Sequence, residues 1–377
     1  MNKIKIPKWN KAVIKVGSSI VAPDGKGISS QYTLAIANFI IQNHSLGREI
    51  ILVSSGAVAA GLATQQNVKT KYNRSIPEKQ ALAAIGQSLL MESWSRFFDF
   101  PCAQMLLTMD GLHNRERYIN AKNTLNELLN LKTLPIINEN DTVAVDELKV
   151  GDNDNLAAHV AVLAEADLLI ICTDIDGLYD DNPANNKNAK LIPVVENINS
   201  EIYSLAADTN NPISTGGMKT KIEAAEKAAT GGIDTLIING TNSKSFDKIM
   251  NDEFYGTFIK KIKTPVAAKK HWLMHTIQNE GKVIVDEGAK NAIISKGASL
   301  LASGISKIEG YFTVGSAIAI VYLDGNNEQV IAKGITQYNS QELEKIKGKK
   351  SSEIESIIGY LTNKEVIHRS DMVLISN

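Results

Sequence analysis

The chain has 377 residues, more than one ordinary domain needs, and 44% of them are hydrophobic, enough for buried cores. Forty Lys and Arg face forty-one Asp and Glu, so global charge gives no reason to expect a nucleic acid or an anionic membrane as partner. No apolar run approaches the roughly 20 residues of a membrane helix, and the start MNKIKIPKWNK lacks the apolar core of a secretory signal. Cys102 and Cys172 sit in strand-like runs and read as reduced core residues of a cytoplasmic protein, and the six histidines show no metal-ligand spacing.

In chain order, Ala12 to Val16 is a short apolar run closed by Gly17-Ser18-Ser19, which fits a buried parallel strand. Lys15 is its odd member, since a buried lysine is costly unless its head reaches water or an anion. It either snorkels at a strand end or reaches past the carboxyl edge toward phosphate. Ser29 or Ser30 caps a helix to about His44, and Gly47 ends it. Glu49 to Val53 is a second strand feeding Ser54-Ser55-Gly56-Ala57, a small-residue turn before a helix that suits an anion or simply a tight connection. Residues 78–98 read as a long helix with Leu82, Ile85, Leu89 and Leu90 on one side. Ala103 to Leu107 is a strand, and Asn114 to Asn130 a helix whose Arg115 and Arg117 fit a solvated face as well as a ligand.

Leu134 to Ile137 is the next strand. It delivers the stretch from Asn138 to Asn155, which holds Asp141, Asp146, Asp152 and Asp154 among Asn138, Asn140, Asn153 and Asn155. Such a density of short amides and carboxylates favours turns and caps, and equally suits a site that grips a small charged ligand. A helical run from Leu156 to Ala166 and a strand from Leu168 to Cys172, ending in Thr173-Asp174, follow. Residues 177–190 form a turn-rich loop. STGGMKTK, residues 214–221, opens onto a helix from Met218 to Thr230 with Lys219 and Lys221 near its start, against the helix dipole, a conflict that an anion resolves. Thr235 to Asn239 reads as a last strand. Strands alternating with helices indicate an α/β domain with a mainly parallel sheet, whose ligands bind beyond the carboxyl ends of the strands.

A lysine-rich stretch from Phe258 to Lys270 marks a boundary, giving expected domains 1–262 and 281–377 joined by a linker, 263–280. The second part reads as mostly β, with strands at Lys282–Asp286, Ala317–Leu323, Gln329–Ala332 and Val373–Ile375 and short helices near 288–295 and 340–347. From Gly281 to Asn377 there are eleven Lys or Arg and eleven Asp or Glu, which is not the footprint of a strong RNA binder.

These motifs together resemble the glutamate 5-kinases, a branch of the amino acid kinase family, over essentially the whole chain. The resemblance rests on Lys15-Val16-Gly17-Ser18, Ser55-Gly56-Ala57, INEND at Ile137–Asp141, VGDND at Val150–Asp154, Thr173-Asp174, Gly177–Tyr179, TGGMKTK at Thr215–Lys221, Val285–Ala289 and Tyr338–Ser340. It departs at Ser54, where many relatives carry threonine. It implies a three-layer amino acid kinase sandwich around a mainly parallel sheet, followed by a small, mostly-β PUA-like domain.

The activity implied is ATP-dependent phosphorylation of the side-chain carboxylate of L-glutamate, with Mg2+ held by the ATP phosphates, as the first step of proline synthesis. L-Proline is the implied feedback inhibitor, a glutamate 5-phosphate reductase the downstream partner, and a homo-oligomer the usual state. That carboxylate, with an unperturbed pKa of about 4.3, is already ionised at neutral pH, so no general base is required. Lys15, Lys221 and Asp154 are the expected catalytic group, with Lys15 toward the β/γ-phosphates, Lys221 on the transferring group and Asp154 holding both. Gly17, Gly216 and Gly217 would offer backbone N–H groups to phosphate. Thr173, Asp174 and the turn Thr215, Gly216, Gly217, Met218, Lys219, Thr220 and Lys221 would line the ATP site. Asp141 would take the substrate ammonium, and Ser55 and Asn153 its carboxylates, with Asn138 and Asp152 close by. Aspartate, acetylglutamate, carbamate and uridylate kinases are the rivals within the superfamily. The Asp141–Asn153 pair and the PUA-like tail argue against them. An RNA-binding or regulatory protein with a decayed kinase site is the rival of another class, disfavoured by the intact Lys15, Asp154 and Lys221.

Overall fold

A computed structural model describes residues 5–25, 27–65, 74–144, 153–183, 185–207, 217–262, 280–325, 327–360 and 364–375. The chain divides into two units, Met1–Thr264 and Pro265–Asn377. The expected linker lies outside the described residues except for Glu280.

In the first unit, runs of Val, Ile and Leu form the strands, and polar or glycine residues stop them. In chain order the elements are β1 (Lys11–Val16), α1 (Ser18–Val21), α2 (Ser30–Ser45), β2 (Glu49–Ser54), α3 (Ala57–Ala63), α4 (Ile76–Ser95), β3 (Cys102–Leu107), α5 (Met109–His113), α6 (Arg115–Asn130), β4 (Leu134–Glu139), α7 (Asn153–Leu163) and β5 (Leu168–Thr173). Then come β6 (Val194–Val195), α8 (Ser200–Ala207), α9 (Met218–Thr230), β7 (Asp234–Asn239), α10 (Ser243–Met250) and β8 (Thr257–Ile259). The sheet order is β3-β4-β2-β1-β5-β7-β8-β6. The first six strands are mutually parallel. β8 runs antiparallel to β7, and β6 is parallel to β8. The sequence reading ended the sheet at β7. β8 and β6, of three and two residues, are too short for an apolar period to mark them.

Side chains alternate across the sheet, so each strand feeds two cores. Val13, Ile51, Val53, Leu169 and Ile171 pack with Leu156, Val160, Ala224 and Ala225 of α7 and α9. Ile14, Val16, Leu52, Ile170 and Ile238 pack on the other face with Ile36, Phe39 and Ile40 of α2 and Ile249 of α10. β1 lies between β2 and β5, with Lys15 registered against Val53 and Ile171. Alternation puts Lys15 on the Val13 face, toward α7 and α9.

α4 begins with a capping box, in which the Ser75 hydroxyl accepts from the Glu78 N–H and Glu78 Oε2 accepts from the Ser75 N–H at 2.8 Å. Its packed face is Leu82, Ala83, Gly86, Leu90 and Trp94. Ile85, expected there, is 42% exposed. The difference comes from Gly86, where a β-carbon would lie 1.9 Å from the Ala57 carbonyl oxygen and 2.3 Å from the Gly61 nitrogen. Backbone-to-backbone approach between α3 and α4 turns the helix so that Gly86 faces inward and Ile85 outward.

The second unit comprises β9 (Gly281–Val285), α11 (Glu287–Lys296), β10 (Ile305–Gly310), β11 (Ala317–Asp324), β12 (Asn327–Ile335), α12 (Ser340–Ile346), α13 (Ile354–Ile358) and β13 (Met372–Leu374). Its sheet order is β10-β9-β11-β12-β13. β9 and β11 are parallel and the other neighbours antiparallel. β10 had no counterpart in the sequence reading, because ISKIEG carries three polar or charged residues and pairs through a register shift. Tyr338, Phe312 and Ile320 centre its core. Among the described residues, no helix is long and apolar enough to cross a membrane.

Gly86→Ala is expected to destabilise the first unit by at least about 1–3 kcal/mol, since backbone rather than a flexible side chain stands in the way. Ala84→Ser, on the exposed side of the same helix, should fall within about 0.5 kcal/mol of the parent. Urea unfolding of the two variants checks this.

Candidate active site

Lys15 Nζ lies 2.6 Å from Asp154 Oδ1, and Lys221 Nζ lies 3.1 Å from Asp154 Oδ2. The three residues come from β1, the first turn of α7 and the first turn of α9. Parallel strands running the same way, with helices returning between them, bring these starts to one edge of the sheet. All three are buried, Lys15 and Lys221 at 5% exposure and Asp154 at 0%. Burial alone would raise the Asp154 carboxyl. The charges of Lys15 and Lys221, and their hydrogen bonds, override this and hold it down at about 2. Burial pushes the Lys221 ammonium down, Asp154 pushes it back up, and Lys15 adds to the depression. One carboxylate held between two ammonium groups, with Asp174 a further negative charge acting on Lys221, gathers two cations in a dry place, which suits a polyanion.

Thr220 Oγ1 is 2.9 Å from Asp154 Oδ2 and 2.9 Å from the Gly217 carbonyl oxygen, and its single hydrogen serves one of them at a time. Three helices that open at this edge begin without a side-chain cap: α1 behind Gly17, α3 behind Gly56 and α9 behind Gly217. Their neighbours α2, α4, α5, α6 and α10 are capped by Ser29, Ser75, Thr108, Asn114 and Asn242. A β-carbon at Gly17 would stand 3.4 Å from Lys15 Nζ, so glycine keeps the approach to that ammonium open.

Of the other expected residues, Met218 is buried, Lys219 is exposed and Thr220 is half-buried. Thr173 is buried at the end of β5, with its Oγ1 donating to Asp174 Oδ1 at 3.2 Å, and Asp174 is exposed. Asp152, Thr215 and Gly216 lie outside the described residues. Beyond Asp174 the sequence reading missed a polar group. Asn239 Nδ2 donates to Asp176 Oδ1 at 2.9 Å, and Tyr179 OH donates to Asp176 Oδ2 at 3.2 Å. Asn239 closes β7 as Thr173 closes β5, so the rule that favours polar residues at strand ends would have found it.

A second polar cluster surrounds Asn138. Asn153 Nδ2 donates to Ser55 Oγ at 2.7 Å and to Asn138 Oδ1 at 2.8 Å. Asn138 Nδ2 donates to Gln87 Oε1 at 2.9 Å. Both amide hydrogens of Asn153 are thus engaged, and its Oδ1 is buried without a hydrogen-bond partner among the described residues. Asp141 is half-buried and lines a cavity of about 320 Å³ together with Gln87, Gln104, Glu139 and Asn140. Gln87 was not among the expected residues. It looks like part of a solvated helix face, and nothing in its local sequence marks it.

Comparisons with known proteins converge. Residues 10–239 match the model of the amino acid kinase family, and residues 281–358 match the PUA domain. The chain is 50% identical over 374 residues to a glutamate 5-kinase from Salinibacter ruber (strain DSM 13855 / M31), spanning 99% of this chain and 100% of that one. It is 48% identical to a glutamate 5-kinase from Idiomarina loihiensis, again over 99% and 100% of the two chains. A glutamate 5-kinase from Xanthomonas euvesicatoria pv. vesicatoria is 45% identical over 96% of this chain and 100% of its own.

Asp154→Asn leaves two buried ammonium groups without their counter-charge and should lower stability near neutral pH by about 3–5 kcal/mol. The carboxyl sits at about 2 when folded, against 3.8 for the free group, so its contribution is whole above pH 4 and fades as pH falls through 2. Without Asp154 the Lys221 ammonium, already pushed down by burial, is pushed down further, and its penalty is relieved as pH becomes alkaline. The gap in melting temperature between parent and variant should therefore be widest near neutrality and close at both extremes. A gap that grows steadily toward alkaline pH contradicts this account.

Proposed function

Since the chain belongs to the amino acid kinase family and stands among its glutamate 5-kinases, we propose that it transfers the γ-phosphoryl group of ATP to the side-chain carboxylate of L-glutamate, as the first step of proline synthesis. A carboxylate oxygen attacks the γ-phosphorus, the bond to the β–γ bridging oxygen breaks, and ADP departs. No proton moves. The obstacle is the approach of one anion to another, and the remedy is positioning and charge neutralisation.

The buried Lys15–Asp154–Lys221 group carries this reading. Its two ammonium groups lie at the edge where three helices begin without side-chain caps. Lys15 neutralises the β/γ-phosphate region and Lys221 the transferring group, and Asp154 fixes the separation of the two heads. The backbone N–H groups of Gly17, Gly216 and Gly217 would bind phosphate oxygens, with Thr215, Met218, Lys219 and Thr220 in the same ATP-binding stretch. Thr173 and Asp174 hold the nucleoside end, helped by Asp176 and Asn239. Both oxygens of Asp154 are engaged by ammonium groups, and no cluster of three or more His, Cys, Asp or Glu side chains among the described residues is set for a metal. Mg2+, which the family resemblance implies, would ride on the nucleotide's own phosphates and add charge neutralisation there. Ser55, Asn138, Asp141, Asp152 and Asn153 form the glutamate end. Residues 1–262 hold the activity, and residues 281–377 form a separate domain.

The product is an acyl phosphate, a reactive anhydride, which calls for prompt consumption by a glutamate 5-phosphate reductase. L-Proline as inhibitor, a homo-oligomer and a cytoplasmic setting belong to the same reading and rest on the family resemblance.

The test is turnover by the purified full chain with glutamate, aspartate and N-acetylglutamate in parallel, following ADP release. Glutamate should be preferred by orders of magnitude, and preference for another acceptor overturns the substrate. Lys221→Ala should lower kcat by at least about 100-fold while changing the KM for glutamate by less than about threefold, because its charge matters most in the transition state. A change confined to KM removes Lys221 from that role.

A further inference from the structure

The polar cluster at Asn138 contains one atom with no freedom of role. The backbone N–H of Glu139 lies 2.9 Å from Asn138 Oδ1. A backbone N–H only donates, so the atom it meets is the amide oxygen of Asn138. The orientation of every other amide in the cluster follows. Asn138 Nδ2 faces the opposite way and meets Gln87 Oε1 at 2.9 Å. Asn153 stands 2.8 Å from the same Asn138 Oδ1 and must present its nitrogen there. The second hydrogen of that nitrogen goes to Ser55 Oγ at 2.7 Å. What remains is a buried Asn153 Oδ1 with no partner among the described residues. Ser55 Oγ, having accepted from Asn153, keeps its O–H to donate. An acceptor and a donor thus lie side by side, complementary to the ammonium and carboxylate that an α-amino acid carries on one carbon.

We propose that Gln87 is a positioning residue for the amino-acid substrate: acting through Asn138, it locks the Asn153 amide so that its carbonyl oxygen receives the substrate's α-ammonium. The proposal rests on glutamate being the acceptor and assigns Asn153 to the ammonium rather than to a carboxylate. Asn138 is 2% exposed, so without an acceptor at Gln87 its amide nitrogen would be a buried, unpaired donor. It would then rotate, and Asn153 would lose its orienting partner. Gln87 is well placed to hold firm. It directly follows Gly86, where α4 meets the backbone of α3, and α3 begins two residues after Ser55. One end of the chain of amides is therefore carried by α4 and the other lies just before α3, and the two helices are locked to each other.

Steady-state kinetics of the full chain carrying Gln87→Met, similar in length but with no oxygen acceptor, tests this. Gln87→Leu stands in if that variant does not fold. The KM for glutamate should rise about tenfold, with the KM for ATP within twofold and kcat within threefold of the parent. In an Asn138→Ala background the same substitution should add less than twofold. The preference for glutamate over glutarate, which has both carboxylates and no ammonium, should also fall about tenfold. An unchanged KM removes Gln87 from any role, and parallel rises for glutamate and ATP mark a general loss of structure. Additive effects with Asn138→Ala mean that Gln87 does not work through Asn138. An unchanged preference over glutarate returns Asn153 to a carboxylate. A parent enzyme inactive on glutamate would instead sink the substrate reading itself, so the two failures are told apart before any variant is made.

Discussion

A carboxylate shut off from water and pressed by two ammonium groups sets the terms for the first unit. The shared carboxylate holds two like charges close together, and a low-dielectric surrounding magnifies their mutual repulsion. The fold therefore holds a cationic point of fixed geometry, supported by three elements that are distant in sequence. Strand alternation turns Lys15 toward α7 and α9 instead of α2. The first turn of α7 supplies Asp154, where a carboxylate is favoured by the helix dipole. The start of α9 supplies Lys221, where an ammonium is not. The one unfavourable placement is the one tied directly to the shared carboxylate, which compensates for it locally.

The proposed substrate end is built differently. No ion pair orients Asn138, Asn153 and Ser55. A chain of amides does so, anchored by a backbone N–H that cannot change role. On the proposed function, charge would give strength to one end of the site and hydrogen-bond polarity selectivity to the other. An amide chain of this kind is sensitive to each member, because reversing one reverses what its neighbour must present.

Much of this was legible in the residues. The parallel direction of six strands follows from apolar runs alternating with helices, though not their order in the sheet, and Met218–Thr230 was bounded correctly because Gly217 and Gly231 flank it. Lys15 stood out as a cation within an apolar run. Elements of two or three residues, such as β6 and β8, were not legible, since a period needs length to be seen. Ile85 was misplaced because helical periodicity assumes that side chains set the contact face. At α3 and α4 the backbone at Gly86 sets it. Which atom of Asn153 remains unengaged is a tertiary fact: it depends on Glu139 and Ser55, residues with no local tie to it. Gln87 was invisible for the same reason.

The uncapped openings of α1, α3 and α9 carry a cost that their capped neighbours avoid. A serine or aspartate is the usual finish for a helix start and adds about 1 kcal/mol. Finishing these three in that way would place an intramolecular acceptor on the N–H groups that an incoming anion would use. The resting protein would gain rigidity while its guest met a competitor already seated. On the proposed function, binding would supply what these helix starts lack, so that binding and the final consolidation of the fold become one event, with heat resistance in the empty state given up for it.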